Sequence, residues 1–135
     1  MDVQPYLAFE GRCDEAIEFY KKAIDAKVDM LMRFKDAPDQ SMVTPGNQDK
    51  VMHAAIRAGN TQLLMSDGRC TGNPNFSGIA LALSTTSDAD AERVFNALAV
   101  GGIVNMALTK TFFAARFGML VDKFGVGWMV LSPAG

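Results

Sequence analysis

The stretch EAIEFYKKA, residues 15–23, has a counterpart 75 residues later in DAERVFNAL, residues 90–98. Both carry apolar side chains at positions i, i+3, i+4 and i+7. These are Ala16, Phe19, Tyr20 and Ala23 in the first stretch and Ala91, Val94, Phe95 and Leu98 in the second. This spacing places the apolar side chains on one face of a helix. Because all four positions share one offset, the sequence predicts two amphipathic helices in an internal duplication.

Extended runs flank the two helices in the same order. One run precedes each helix, at residues 3–9 and 79–84, and one follows it, at 28–34 and 103–109. Two more runs come next in each half, at 53–58 and 61–66 and then at 118–122 and 127–131. The predicted order is therefore βαβββ, written twice.

Turn and cap residues support these limits. Gly59-Asn60 is a two-residue hairpin signal. Ser87-x-x-Asp90 predicts a capping box at the start of the second helix, and Gly101-Gly102 predicts its end. Proline and glycine make residues 36–50 an expected loop. We expect residues 1–135 to form a single domain, with modules at about 1–67 and 78–135 and a linker at 68–77.

Composition excludes several classes of protein. The chain has 135 residues, a net charge of −2 and 49% hydrophobic residues, which suits one domain with a sizeable core. The slightly acidic balance argues against a nucleic-acid partner. No apolar run is long enough to span a membrane, and the N-terminus has no signal-peptide pattern. The two cysteines, Cys13 and Cys70, have no metal-site spacing. We expect a cytoplasmic protein.

Several motifs together resemble the vicinal-oxygen-chelate superfamily, which includes glyoxalase I and the bleomycin- and fosfomycin-resistance proteins, and within it the PhnB-like branch. The motifs are PYLAF at 5–9, EAIEFY at 15–20, HA at 53–54, QLLMSD at 62–67, FG at 117–118 and DKFGVGW at 122–128. The resemblance implies an α+β fold. In it, two βαβββ modules form a cupped mixed eight-stranded sheet with helices on the outer face.

The resemblance also implies where a metal would bind, namely at one position on the first and last strand of each module. These positions fall on Pro5, Leu64, Gly78 and Met129. Zinc, iron and manganese sites use His, Cys or carboxylate ligands, so we expect no metal and no cofactor. An alignment error of one residue would offer Gln4 or Gln62, which are poor substitutes.

The same positions define which side chains face the cavity of the family, since side chains alternate along a strand and paired residues of a hairpin share a face. The expected apolar lining is Leu7, Phe9, Leu64, Met129 and Leu131. The expected polar lining is His53, Arg57, Gln62, Ser66 and Asp122. Such a lining suits a small organic ligand, whereas a register shift of one residue would invert the assignment. Trp128 falls on the opposite face and is predicted to join the core on the helix side.

Each polar candidate has a structural alternative. His53 can act as a general base or proton donor, or it can be a strand histidine bonded to a hydroxyl or carbonyl group. Arg57 can anchor a carboxylate or phosphonate through its forked guanidinium, or lie at the rim beside the turn. Asp122 can bind a ligand hydroxyl or Arg57, or stabilise a turn. Phe112, Phe113 and Phe117 can form a lid or pack in the core and a dimer interface.

The first hypothesis for function is an uncharacterised PhnB-like protein that binds a small organic ligand in an apolar cavity without the usual metal. The alternative is an enzyme of the superfamily, of the isomerase, lyase or thiol-transferase type, that is metal-free or has a non-standard metal site. A third is a structural dimer with no pocket. The resemblance also implies a homodimer. The PhnB-like domain has carried a 3-demethylubiquinone methyltransferase label, but the chain has no glycine-rich nucleotide-binding loop to support it. No catalytic residue is assigned.

Overall fold

The predicted order of elements occurs twice in the computed structural model, which describes residues 1–133. The first unit, Met1–Pro74, contains β1 (Tyr6–Ala8), α1 (Cys13–Ala23), β2 (Lys27–Arg33), β3 (Val51–Ala58) and β4 (Thr61–Ser66). The second unit, Asn75–Gly135, contains β5 (Ala80–Ser84), α2 (Asp88–Ala99), β6 (Ile103–Thr109), β7 (Ala114–Val121) and β8 (Gly127–Pro133). Both predicted βαβββ modules are therefore confirmed.

Each unit contains a mixed four-stranded sheet. The strand order is β1-β4-β3-β2 in the first and β5-β8-β7-β6 in the second. The pairs β1–β4 and β5–β8 are parallel, and the other neighbours are antiparallel. The eight expected strands thus form two hydrogen-bonded sheets of four. The hairpin at Gly59-Asn60 has the predicted register, with Ala58 opposite Thr61.

A helix covers one face of the sheet in each unit. In the first unit this face carries Leu7, Ala54, Ile56, Leu63 and Met65, all buried. In the second unit α2 contacts β7 and β8, and Trp128 is 4% exposed, which confirms its predicted place in the core. The helix approaches closely at Gly118, where a Cβ atom would lie 2.7 Å from Cε2 of Phe95. We call the opposite face of each sheet its far face.

The two helices begin differently. At α2, the Ser87 hydroxyl accepts a hydrogen bond from the backbone N–H of Asp90 at 3.1 Å, as the capping pattern predicts. At α1, the capping group is the carboxylate of Asp67, the residue that follows β4. Oδ1 of Asp67 accepts from the N–H groups of Gly11 at 3.0 Å and Cys13 at 2.8 Å. An acidic group at this end also interacts favourably with the helix dipole.

A short 3-10 turn, Phe34–Asp36, leads into the expected loop at 36–50, and a second one, Gln40–Met42, lies inside it. The predicted linker at 68–77 begins inside the first unit. Oε2 of Glu10 accepts from the N–H groups of Arg69 and Thr71, at 3.0 and 3.2 Å. Residues 68–72 are therefore fastened to that unit. In the part of the chain that the structure describes, neither helix has the length and hydropathy needed to cross a membrane.

Candidate functional site

The far face of the first sheet carries most of the polar residues singled out by the sequence. Arg57 lies opposite Gln62, and Ala55 lies opposite Leu64, as expected from the hairpin register. The first strand adds Tyr6, which pairs with Leu64. Residues that lie directly opposite each other on paired strands point to the same side of the sheet. The far face therefore comprises Tyr6, Ala8, His53, Ala55, Arg57, Gln62, Leu64 and Ser66.

A connected polar network crosses this face. Nε2 of Gln4 donates to Oε1 of Gln62 at 2.9 Å, and Nε2 of Gln62 donates to Oδ2 of Asp29 at 3.0 Å. The same carboxylate oxygen lies 3.0 Å from Nη2 of Arg57. The side chains of Arg57 and Asp29 remain 49% and 32% exposed. The network thus offers donors and acceptors to a ligand while its two charges offset each other.

A second polar group on this face is the pair formed by Tyr6 and His53. The Tyr6 hydroxyl lies 3.1 Å from Nδ1 of His53, and the ring centroids are 5.7 Å apart. When the phenol donates to a neutral imidazole, the remaining proton sits on Nε2. The pair then presents an N–H donor and can pass a proton between its two members.

Ser66 lies on the same face but takes part in the turn that follows β4. Its Oγ accepts from the N–H of Gly68 at 2.9 Å, and the residue is 6% exposed. This hydroxyl organises the chain after the strand and offers little surface to a ligand.

In the second unit the far face is mostly apolar. Met129 pairs with Met119, and Leu131 pairs with Phe117. Phe117 continues into an aromatic cluster, since its ring centroid lies 5.1 Å from that of Phe113, which is 5.1 Å from that of Phe112. Met129 and Leu131 therefore lie on the far face of this sheet, and their predicted role as lining of a cavity stays a prediction.

Two apolar candidates lie on the other face, which corrects the prediction. Leu7 pairs with Met65 and is 5% exposed, so it points to the α1 side. Phe9 is fully buried, and its ring centroid lies 6.2 Å from that of Tyr20 on α1. The cause is the register of β1, which puts Tyr6 and Ala8 on the far face. Leu7 and Phe9 belong to the core of the first unit.

Asp122 is also corrected, from a cavity residue to a turn residue. Oδ1 accepts from the N–H groups of Phe124 at 2.9 Å and Val126 at 3.1 Å, and Oδ2 accepts from Nε1 of Trp128 at 2.9 Å. The residue is 3% exposed. Gly127 pairs with Val121 and not with Asp122. The Asp122 carboxylate therefore stabilises the turn between β7 and β8 on the Trp128 side. This role in a turn is the alternative that the sequence left open for Asp122.

The donor set does not fit the metal of the superfamily. Of the four expected metal positions, Leu64 and Met129 carry apolar side chains on the far faces of their sheets. Pro5 and Gly78 have no side chain that could bind a metal. The nearest alternatives, Gln4 and Gln62, bond to each other. Within residues 1–133 there is no cluster of three or more His, Cys, Asp or Glu side chains that could hold an ion. We therefore derive no chemical step through a metal.

Three residues that bond to side chains of the far face or belong to it, Tyr6, Gln4 and Asp29, are not among the predicted lining residues. Tyr6 was missed because β1 was assigned the wrong alternation. Gln4 entered only as a substitute metal ligand. Asp29 lies on β2, a strand for which no lining residue is predicted, at a shift of the β2–β3 register between Val28 and Met30. The sequence signal for Asp29 is that it is one of two charged residues, with Arg33, in the otherwise apolar run from 28 to 34.

Comparisons with known proteins agree on one family. Residues 1–131 match a family described as 3-demethylubiquinone-9 3-methyltransferase. Protein YjdN of Escherichia coli K12 is 32% identical over 96% of this chain and 94% of its own length. The crystal structure of protein PA1353 from Pseudomonas aeruginosa is 38% identical, with a TM-score of 0.86 and 98% of each chain covered.

A structure described as a putative 3-demethylubiquinone-9 3-methyltransferase, PhnB protein, from Bacillus cereus is 26% identical, with a TM-score of 0.81 and 98% and 99% coverage. The fold alone extends further, to the fosfomycin resistance protein FosX from Mesorhizobium loti. That chain is 10% identical, with a TM-score of 0.63 and 99% and 92% coverage.

Proposed function

Because this chain belongs to the PhnB-like family of the glyoxalase and bleomycin-resistance superfamily, we propose that it binds a small organic ligand on the far face of the first sheet, without the metal of the superfamily's enzymes. The observation that carries this proposal is the hydrogen-bonded group of Gln4, Gln62, Asp29 and Arg57. It lies beside apolar Leu64 and Ala55. Binding sites typically combine an apolar lining with a few placed polar groups.

The charges of the network indicate the class of ligand. Asp29 already neutralises the guanidinium of Arg57, at 3.0 Å. A multiply charged anion such as a phosphonate would have to displace that carboxylate or face its repulsion. A neutral ligand with amide, hydroxyl or carbonyl groups can instead bond to Gln62 and to the N–H of His53. We therefore assign the site to neutral, amphipathic small molecules.

The test is a screen of neutral amides and of matched carboxylates, followed by amide chemical shifts. Ligands of the proposed class shift the backbone signals of His53, Arg57 and Gln62. Ligand at about 100 times its dissociation constant stabilises the fold by about 2.7 kcal/mol. Gln62→Leu should weaken such a ligand by about tenfold, the equivalent of about 1.4 kcal/mol.

The control for Gln62→Leu is Arg93→Gln, on the exposed side of α2, which should leave binding unchanged. A screen in which no compound shifts the far-face signals would contradict the proposal, and preferred binding of carboxylates would overturn the assigned ligand class.

The Tyr6–His53 pair favours a second candidate function, metal-free acid–base catalysis on the same ligand. A phenol and an imidazole 3.1 Å apart can relay a proton. Solvent deuterium exchanged into a carbon-bound position of a ligand would demonstrate proton abstraction. Exchange should be lost in His53→Gln and reduced in Tyr6→Phe. If ligands bind the wild-type protein and no solvent deuterium enters a carbon-bound position, the acid–base hypothesis is contradicted and ligand binding remains the proposed function.

The methyl transfer named in the family description is not part of this proposal. It would need a site for a methyl donor, and the sequence contains no glycine-rich nucleotide-binding loop.

We also propose that the chain forms a homodimer in the cytoplasm. The edge strands expose apolar side chains, with Val28 at 41% and Leu31 at 38% on β2, and Ile103 at 65% on β6. Exposed apolar patches on sheets commonly mark interfaces. Cys13 and Cys70 are free cysteines, which suits a reducing compartment. Light scattering should give twice the mass of the chain, and a monomer would contradict the dimer.

A further inference from the structure

A cleft of about 450 Å³ opens in the first unit, formed by Phe34, Met42, residues 44–47 and the turn at 68–70. None of its lining residues belongs to the far face of the first sheet. The volume falls within the range of ligand pockets, about 300–1,000 Å³. The cleft is thus separate from the proposed binding site and large enough for a two-ring molecule.

The walls of the cleft are held by hydrogen bonds. Oδ1 of Asn47 accepts from the N–H of Thr44 at 2.8 Å, and its Nδ2 donates to the carbonyl of Met42 at 3.1 Å. On the opposite wall, Oε2 of Glu10 accepts from the N–H of Arg69 at 3.0 Å, and the N–H of Cys70 donates to the carbonyl of Asp67 at 2.9 Å. A preformed cleft loses little conformational entropy when a ligand enters.

The lining combines apolar surface with one cation. Phe34 is 5% exposed, and Met42 and Pro45 also line the cleft with apolar side chains. Arg69 lines the cleft, and its guanidinium has no hydrogen bond or ion pair to any residue in the 1–133 range. No acidic residue lines the cleft, and the Glu10 carboxylate that braces one wall accepts from the backbone N–H groups of Arg69 and Thr71. Burial raises the pKa of the Cys70 thiol, so this group is neutral at physiological pH and adds no negative charge.

We propose that this cleft is a second ligand site, which binds a compact aromatic monoanion. The ring system packs against Phe34, Met42 and Pro45, and the carboxylate or sulfonate pairs with Arg69. A guanidinium without a protein partner can form a forked pair with such a group. The apolar wall explains why the ligand is aromatic and not a bare anion.

The probe is naphthalene-2-carboxylate, compared with the neutral naphthalene-2-carboxamide by amide chemical shifts. The carboxylate should shift the amide signals of residues 42–44, 46–47 and 68–70 and bind more tightly than the carboxamide. Arg69→Gln should weaken the carboxylate by at least about tenfold and leave the carboxamide unchanged. Arg93→Gln, which removes an arginine from the second unit, should leave both affinities unchanged.

Alkylation of Cys70 by iodoacetamide gives an independent measure. Bound carboxylate should slow it in the wild-type protein, and the same concentration should have no effect in Arg69→Gln. Equal affinities for the two probes, or unchanged affinity in Arg69→Gln, would overturn the proposal. So would shifts confined to the far face of the first sheet. If inorganic phosphate shifts the same signals equally strongly, the claim that the ligand must be aromatic would be overturned.

Discussion

Asp67 has a fully buried carboxylate that serves three backbone N–H groups. Oδ1 accepts from Gly11 and Cys13 at the start of α1, and Oδ2 accepts from Val51 at the start of β3, at 2.7 Å. Asp67→Asn replaces one acceptor oxygen with an NH₂ group that faces a donor. Hydrogen bonds to charged groups contribute about 1.5–3 kcal/mol each. We expect the free energy of unfolding to fall by about 3 kcal/mol, as measured by urea denaturation.

The matched control for Asp67→Asn is Asp2→Asn, which removes an exposed carboxylate near the chain start. It should change the unfolding free energy by less than about 0.5 kcal/mol. An equally small effect of Asp67→Asn would mean that these hydrogen bonds contribute little to stability.

The two cysteines should differ in reactivity with thiol reagents. Burial, together with the nearby Asp67 and Asp14 carboxylates, raises the pKa of Cys13, which has no exposed surface. Cys70 is partly exposed, and its pKa is also raised, chiefly by burial. Because only the thiolate reacts, a raised pKa means that the labelling rate of Cys70 keeps rising above pH 9. Ellman's reagent should titrate one thiol in the native protein and two in denaturant.

Cys70→Ser is the control for this titration, since it should remove the native reaction and leave one thiol in denaturant. Two reactive thiols in the native wild-type protein would show that Cys13 becomes accessible without unfolding.

Some side chains of the candidate site could be placed from the sequence. Arg57 and Gln62 were paired correctly because the Gly59-Asn60 turn sets the hairpin register. Their role in binding remains a prediction. Asp122 was misplaced because sequence spacing cannot show which donors a carboxylate meets. Its bonds to Phe124, Val126 and Trp128 depend on how the β7–β8 connection turns.

At the level of elements, helical periodicity predicts both helices and the matched order of extended runs predicts all eight strands, whereas β1 shows where the assignment of strand faces by alternation fails. The strand has three residues, and both of its faces carry apolar side chains. Leu7 and Tyr6 are equally compatible with either side, so alternation alone cannot choose between them. The choice is made by parallel pairing with β4, a contact between residues 58 positions apart, Tyr6 and Leu64.

The start of α2 allows a prediction at the same scale. Oγ of Ser87 accepts from the N–H of Asp90 at 3.1 Å, and loss of such a cap costs about 1 kcal/mol. Ser87→Ala should lower the free energy of unfolding by that amount in urea denaturation. Ser87→Asp keeps an acceptor oxygen and should retain nearly the wild-type value. Equal losses in both variants would show that the hydroxyl bond is not the source of the effect.

The whole molecule raises the question of whether its two units unfold together. We propose a single domain over residues 1–135. The units contain 74 and 61 residues, and a unit of about 60 residues buries only about 60% of its surface on folding and is marginal alone. The units carry separate probes, since Trp128 is the single tryptophan and lies in the second, whereas Cys13 is buried in the first.

Urea unfolding followed by Trp128 fluorescence and by Cys13 labelling should give coincident transitions, as expected for two-state behaviour. Asp67→Asn should then lower the midpoint of the Trp128 transition, although Asp67 and Trp128 belong to different units. The reason is that a single cooperative domain unfolds as one unit. The loss of the Asp67 hydrogen bonds therefore lowers the free energy of unfolding that every probe reports. A Trp128 midpoint that stays unchanged while the Cys13 transition moves would show that the units unfold independently and would overturn the single-domain proposal.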